Sequence, residues 1–126
     1  MLKIRKSIHE SMVNYLDRFD YEEGGVLLGE DGVIDEFIPM TNVSSMKQSL
    51  YKMEPGEWLQ IFKKNKDRIL GTIHSHTVKL ATPSKTDVSN LCMGITLIYS
   101  KQDKLVRAFK INRNISWFED DIEIIK

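Results

Sequence analysis

Two histidines separated by one residue are the feature of this chain best suited to chemistry. His74-Ser-His76 follows an apolar, partly β-branched run that begins at Ile69 and predicts a buried strand. Alternate residues of a strand point to the same face, so both imidazole rings can aim at one point. Two imidazoles aimed at one point are half of the ligand set that a zinc ion needs. The pair therefore predicts a metal half-site at the end of a strand.

A hydroxyl and a carboxylate follow the histidines after a short loop. Ser84 and Asp87 come just after Thr82 and Pro83, which are residue types typical of a helix start. We expect a helix from there to about Met93, in which the early carboxylate can swing toward the histidines. Two imidazoles and one carboxylate leave a fourth position for water, as catalytic zinc sites do. Ser-x-x-Asp is also an ordinary capping pattern, so Ser84 could instead be the N-cap.

A pair of glutamates upstream offers a proton carrier. Glu22 and Glu23 precede a glycine pair and a short apolar strand that ends at Gly29. Glycines allow a close backbone approach, which would set a glutamate at the mouth of that strand. A carboxylate there could take a proton from water and pass it to a leaving amine. Without the histidine motif, both glutamates would be interpreted as solvated loop charges.

Taken together, these segments resemble the JAMM family of zinc metalloproteases, also called the MPN-plus or JAB domain. The family signature is a glutamate before a Gly-x-Leu-x-Gly strand, then His-x-His-Pro, then Ser-x-x-Asp. The matching segments, in that order, are Glu22, Gly25–Gly29, His74–His76 and Ser84–Asp87. One position departs, because Thr77 stands where the family usually has proline. Since proline fixes the backbone, we expect a looser loop from Thr77 to Ala81 with unchanged chemistry.

The resemblance, which extends from about Ile8 to Phe109, implies a role for each matching residue. The zinc ligands, for one Zn2+ ion per chain, would be His74, His76 and Asp87. Glu22 would be the general acid and base. Ser84 would donate a hydrogen bond to the developing oxyanion.

Two residues next to these positions need an assignment of their own. Glu23 is the alternative to Glu22. The family register favours Glu22, and adjacent strand-like positions would face opposite ways. Ser75 lies between the two histidines, is expected to point to the other face and receives no catalytic role.

The rest of the sequence predicts a mixed α/β fold with a sheet flanked by helices, and all 126 residues are expected in one domain. The resemblance implies the same architecture, the JAB/MPN-like (cytidine-deaminase-like) fold. Helices are expected over Lys6–Phe19 and Glu54–Lys66, the second with inward-facing Trp58, Ile61 and Phe62. Strands are expected at Val26–Leu28, Val33–Ile38, Ile69–Ser75, Ile95–Tyr99 and Leu105–Ile111, with one last strand at Ile115–Ile125. The first two strands flank Gly29–Gly32, which is expected to form a hairpin turn.

Composition argues against several other classes of protein. The formal net charge is zero, so nothing indicates a nucleic-acid-binding or membrane-seeking surface. No apolar run reaches transmembrane length, and the first residues are too polar for a signal peptide. The single cysteine, Cys92, excludes an internal disulfide and is expected to pack as a small buried hydrophobe. A cytoplasmic location follows, and the oligomeric state is not predicted.

The C-terminal region contains two features with no assigned function. Trp117-Phe118 could cap the core or form an exposed contact patch for another subunit. Glu119 to Asp121 is expected to be a solvated turn.

The resemblance implies hydrolysis of a peptide or isopeptide bond after the C-terminal tail of a ubiquitin-like protein. The chain lacks the long insertions of eukaryotic deubiquitinases and resembles the compact prokaryotic type, which acts on sulfur-carrier or ubiquitin-like proteins. Three alternatives stay open: a catalytically silent MPN-type protein-binding module, a RadC-type protein, and residues that bind no metal and only cap a helix. Glu22 and Ser84 argue against the silent module, because neither is needed to hold zinc. RadC-type proteins typically have His-Asn-His and an added helix-hairpin-helix region, whereas this chain has His74-Ser-His76, which argues against the RadC alternative.

Overall fold

The computed structural model describes residues 2–77, 81–83, 95–112 and 116–126 of the chain. Two helices are present among these residues, α1 (Lys6–Leu16) and α2 (Pro55–Asn65). The strands are β1 (Leu2–Arg5), β2 (Gly24–Glu30), β3 (Val33–Met40), β4 (Ile69–His76), β5 (Ile95–Ser100), β6 (Leu105–Asn112), β7 (Ser116–Asp120) and β8 (Ile122–Ile125). None of the helices within the described ranges has the length and apolar character to cross a membrane.

The strands form one sheet in the order β7-β6-β5-β4-β2-β3-β1-β8. The two outer strands, β7 and β8, are neighbours in sequence and are joined by Asp121 alone. The two ends of the sheet must therefore lie next to one another, which gives the sheet a barrel-like curvature. This arrangement, with its two helices, confirms the predicted mixed α/β class.

Each face of the sheet carries its own apolar cluster. On one face, α1 packs with Met12 and Leu16 against strand residues that include Leu27 and Ile73. On the other face, Val26, Leu28 and Met40 are covered by α2, with half-buried Trp58 and Ile61 in contact. The alternation of Val26, Leu27 and Leu28 explains why all three are buried, because successive strand residues face opposite sides.

The predicted elements match the structure over most of the described chain. Both helices lie within the predicted ranges, although α1 ends at Leu16 rather than Phe19. β2 and β3 form the expected hairpin, in which Asp31 and Gly32 have φ angles of 53° and 75°. Two consecutive positive φ angles are typical of the tight turns that match strand twist.

The prediction of one last strand over Ile115–Ile125 was wrong. The chain forms two strands there, of which β7 pairs antiparallel with β6 and β8 pairs parallel with β1. β1 was not predicted; it is a strand of four residues in which buried Leu2 and Ile4 alternate with exposed Lys3 and Arg5. Such a short pattern gains its stability from β3 and β8, which are distant in sequence.

The C-terminal features have the following positions. Trp117 and Phe118 are exposed, with the Trp117 ring packed edge-on to Phe109 at 5.0 Å between centroids. Glu119 was expected in a turn but lies within β7, where it accepts two hydrogen bonds from the Arg107 guanidinium. This ion pair lowers the pKa of the Glu119 carboxyl. The predicted helix after Pro83, with Cys92, lies outside the described residues.

The close approach of β2 to β3 leads to a prediction about glycine. A Cβ atom at Gly25 would collide with the Ile38 carbonyl oxygen and with the Phe37 ring. Gly25→Ala should therefore lower the free energy of unfolding by about 1–3 kcal/mol, the cost of overpacking. Gly56→Ala, in the first turn of α2, should lower it by less, because the added Cβ atom would meet only the end of the Glu54 side chain, at 3.1 Å, and alanine is the better helix former. Urea denaturation of both variants tests this, and a stable Gly25→Ala variant would contradict the packing.

Candidate metal centre

The two predicted metal-binding histidines lie at the end of β4 with their rings together. Their Nε2 atoms are 3.2 Å apart, and His74 and His76 are 6% and 0% exposed. Glu22 lies just before β2 and is 1% exposed. One oxygen of its carboxylate and one nitrogen of each histidine lie within 4.8 Å of one another. The structure thus brings together three of the five residues that the sequence singled out.

The spacing of the two nitrogens fits a zinc ion. With Zn–N bonds of about 2.0–2.1 Å in a tetrahedral site, two imidazole nitrogens lie about 3.3 Å apart. The observed distance of 3.2 Å is close to that value. The same distance also suits an N–H···N hydrogen bond between a donor ring and an acceptor ring. Two imidazoles with a carboxylate beside them form the donor set of an open zinc site.

The other two predicted site residues have no described position. Ser84, the expected oxyanion donor, and Asp87, the expected third ligand, lie outside the described residues. Within the described ranges, Glu22, His74 and His76 form the group that could hold a metal ion.

The adjacent glutamate has a different environment. Glu23 is 3% exposed, and its carboxylate accepts a hydrogen bond from the Gly24 N–H at 3.3 Å. Burial raises the pKa of the Glu23 carboxyl, and hydrogen bonds from the Gly24 and Asn42 main-chain N–H groups oppose that shift. Of the two glutamates, Glu22 is the one whose carboxylate lies beside the histidine nitrogens.

Ser75 connects the histidine strand to the glutamate segment. It is fully buried, and its main-chain N–H donates to the Glu23 carbonyl at 2.8 Å. Its hydroxyl accepts a hydrogen bond from the Glu23 N–H at 3.1 Å and donates one to the Glu23 carbonyl at 3.3 Å. The residue between the two histidines therefore fixes the main chain next to Glu22, a role that sequence reasoning did not assign.

Tyr51 orients one histidine and was also missed. Its ring stacks on the His74 ring, with 5.9 Å between centroids and 5° between planes. The Tyr51 hydroxyl donates to the Met40 carbonyl at 2.9 Å. No signal in the sequence marks this tyrosine. It lies in the segment between β3 and α2, and hydrophobic periodicity does not predict the conformation of such a segment.

Thr77, which replaces the family proline, is tied to the same segment. Its hydroxyl donates to the Gln48 carbonyl at 2.9 Å. A looser loop was expected from Thr77 to Ala81, but its first residue is held by a side-chain hydrogen bond. Residues 78–80 lie outside the described part of the chain.

Comparison with known proteins identifies relatives in sequence. Residues 5–112 match the model of a family described as prokaryotic homologs of the JAB domain. The CysO-cysteine peptidase of Mycobacterium tuberculosis is 35% identical over an alignment of 94 residues, and this alignment covers 70% of this chain. The match spans 64% of the length of that relative.

Solved structures share the fold. Protein DSY2949 from Desulfitobacterium hafniense superimposes with a TM-score of 0.85 at 24% identity, covering 100% of this chain and 94% of that one. A structure described as "JAMM: A Metalloprotease-like Zinc Site in the Proteasome and Signalosome" gives a TM-score of 0.62 at 18% identity, with 100% and 99% coverage. At these identities the likeness concerns the fold alone.

The bonds of Ser75 predict a stability effect. Ser75→Ala would leave the buried Glu23 N–H without its hydroxyl acceptor, which should lower the free energy of unfolding by about 1–3 kcal/mol. Ser7→Ala, at an exposed position in α1, should change it by less than about 0.5 kcal/mol. Equal effects of the two substitutions, measured by chemical denaturation, would show that the Ser75 contacts do not stabilise the site.

Proposed function

The chain belongs to the family of prokaryotic homologues of the JAB domain, and on this premise we propose that it is a zinc-dependent peptidase. Its substrate would be a peptide or isopeptide bond after the C-terminal tail of a ubiquitin-like or sulfur-carrier protein. The observation that carries the proposal is the buried Glu22 carboxylate, which lies beside one ring nitrogen of each of His74 and His76. A carboxylate in that position could take a proton from the attacking water and pass it to the leaving nitrogen.

The proposed ligands are His74, His76 and Asp87. A zinc ion bound by them would act as a Lewis acid and lower the pKa of water toward about 7. Tyr51, stacked on His74, keeps that ring in the orientation in which its Nε2 faces Nε2 of His76. Both rings are buried, so the surrounding protein shields them from bulk water.

Glu22 would move the proton. The attacking water gives its oxygen to the carbonyl carbon, and one of its protons goes to the Glu22 carboxylate. When the C–N bond breaks, Glu22 returns that proton to the leaving nitrogen, so the carboxylate is regenerated. Ser84 would donate a hydrogen bond to the oxygen that carries the developing negative charge.

The substrate class rests on the family. The mycobacterial relatives are named CysO-cysteine peptidases, which supports the peptidase part of the proposal. The tail of a ubiquitin-like or sulfur-carrier protein is the substrate that the prokaryotic type of the family implies. A suitable test substrate is therefore such a carrier protein extended at its C-terminus by one amino acid or by a reporter.

The two glutamates provide a matched pair of variants. Glu22→Gln should keep bound zinc but lose about 10²–10⁴-fold in turnover, because the amide cannot carry the proton. Glu23→Gln, equally buried but held by Gly24, should retain most of the turnover. Cleavage of the extended carrier protein and zinc content are measured for both variants. If Glu23→Gln loses activity and Glu22→Gln does not, the assignment is wrong by one residue.

The third ligand is tested separately. Asp87→Ala should lower zinc affinity and, with it, the thermal stability of the zinc-loaded protein, because bound metal stabilises the fold that binds it. Asp67→Ala, an exposed aspartate after α2, is the control and should leave both quantities unchanged. Unchanged zinc content in Asp87→Ala would remove Asp87 from the ligand set and favour Glu22 as the third ligand.

A further inference from the structure

Asn42 is a buried amide whose side chain is bonded to the main chain of Glu22, a residue of the candidate metal centre. It is 1% exposed. Its Nδ2 donates to the Glu22 carbonyl at 2.6 Å and to the Leu50 carbonyl at 2.9 Å. Its Oδ1 accepts from the Ser44 N–H at 2.9 Å and from the Lys52 N–H at 3.2 Å. Both donors and both acceptor positions of the amide are therefore used.

All four partners are main-chain groups, and they come from two separate parts of the chain. One is Glu22, which precedes β2. The other is the segment of residues 43–52, between β3 and α2, which we term the bridging segment. Asn42 thus ties the bridging segment to the main chain of Glu22. Main-chain groups present donors and acceptors whatever their side chains, so these four bonds require a particular side chain only at position 42.

The bridging segment returns two contacts to the site. The Lys47 carbonyl accepts from the Glu22 N–H at 2.8 Å, so both polar main-chain groups of Glu22 are bonded on this side. Tyr51 belongs to the same segment and stacks on the His74 ring. The bridging segment therefore contacts both the main chain of Glu22 and the ring of His74, whereas His74 itself belongs to β4.

We propose that Asn42 is a positioning residue that holds Glu22 in place for proton transfer, an inference that rests on the proposed function of Glu22. Asparagine suits the position because it offers two donors and two acceptor lone pairs in one short planar group. Aspartate would present acceptors to the Glu22 and Leu50 carbonyls, and alanine would leave these buried groups without their donor. Small displacements of a catalytic group have large effects, on the order of 10²-fold for about 1 Å.

The first readout is a split between kinetic constants. Asn42→Ala should lower kcat by about tenfold or more, because Glu22 is no longer fixed. KM should stay within about threefold of wild type, since a residue this deeply buried does not touch substrate. Bound zinc should be unchanged. Asn65→Ala is the control, because that amide also donates to a main-chain carbonyl, that of Ile61 in α2, away from the site.

The second readout needs neither metal nor substrate. In the metal-free protein, hydrogen exchange measured by NMR should show that the Glu22 amide loses about tenfold or more of its protection in Asn42→Ala. The Gly29 amide, bonded to the Arg68 carbonyl at 2.9 Å, is the internal reference and should keep its protection. If Asn42→Ala does not fold, Asn42→Ser, which keeps one hydroxyl donor, takes its place in both measurements.

The outcomes separate this inference from the proposed function. Unchanged Glu22 protection, or an equal loss at Glu22 and Gly29, would overturn the positioning role. A rise in KM with unchanged kcat would also overturn it. If the wild-type protein cleaves no carrier protein, the proposed function fails, while the exchange measurement still decides whether Asn42 fixes Glu22.

Discussion

The candidate site depends on the register between β2 and β4. Gly24 lies opposite His74 in the antiparallel pair, and the Ser75 N–H donates to the Glu23 carbonyl. This register brings Glu22, at the entry to β2, beside the two rings at the end of β4. A slip of one residue would turn every side chain of β4 to the other face. Gly24 permits the approach, since a Cβ atom there would collide with the Ile73 carbonyl oxygen.

Successive residues of β4 serve different purposes on the two faces of the sheet. Ile73 packs toward α1 in the larger apolar cluster, while His74 lies on the opposite face, where Tyr51 covers its ring. Asn42 and Thr77 each donate a hydrogen bond to the main chain of the bridging segment, to the Leu50 and Gln48 carbonyls respectively. Two buried histidines and a buried carboxylate are therefore held by elements that are distant in sequence. Such groups are costly to bury unless they are paired or bind a metal.

Local patterns predicted the parts of the fold that local physics determines. Alternation along β4 placed both histidines on one face, apolar spacing and a proline marked α2, and Asp31-Gly32 marked the hairpin. β1 and the separate strand β8 were not predicted, because these two strands pair with each other from opposite ends of the sequence. Asn42 was not predicted either, since its bonds go to main-chain groups and leave no pattern. The expected roles of Ser84 and Asp87 stay predictions, because both lie outside the described residues.

The central claim is that the histidine pair holds a zinc ion, and metal content measured by mass spectrometry tests it most directly. Wild-type protein is compared with the His74→Ala/His76→Ala double variant and with His9→Ala, which removes the remaining histidine, in α1. We expect about one zinc per chain in wild type and in His9→Ala, and none in the double variant. Wild-type protein without zinc after reconstitution, or equal zinc in all three proteins, would contradict it.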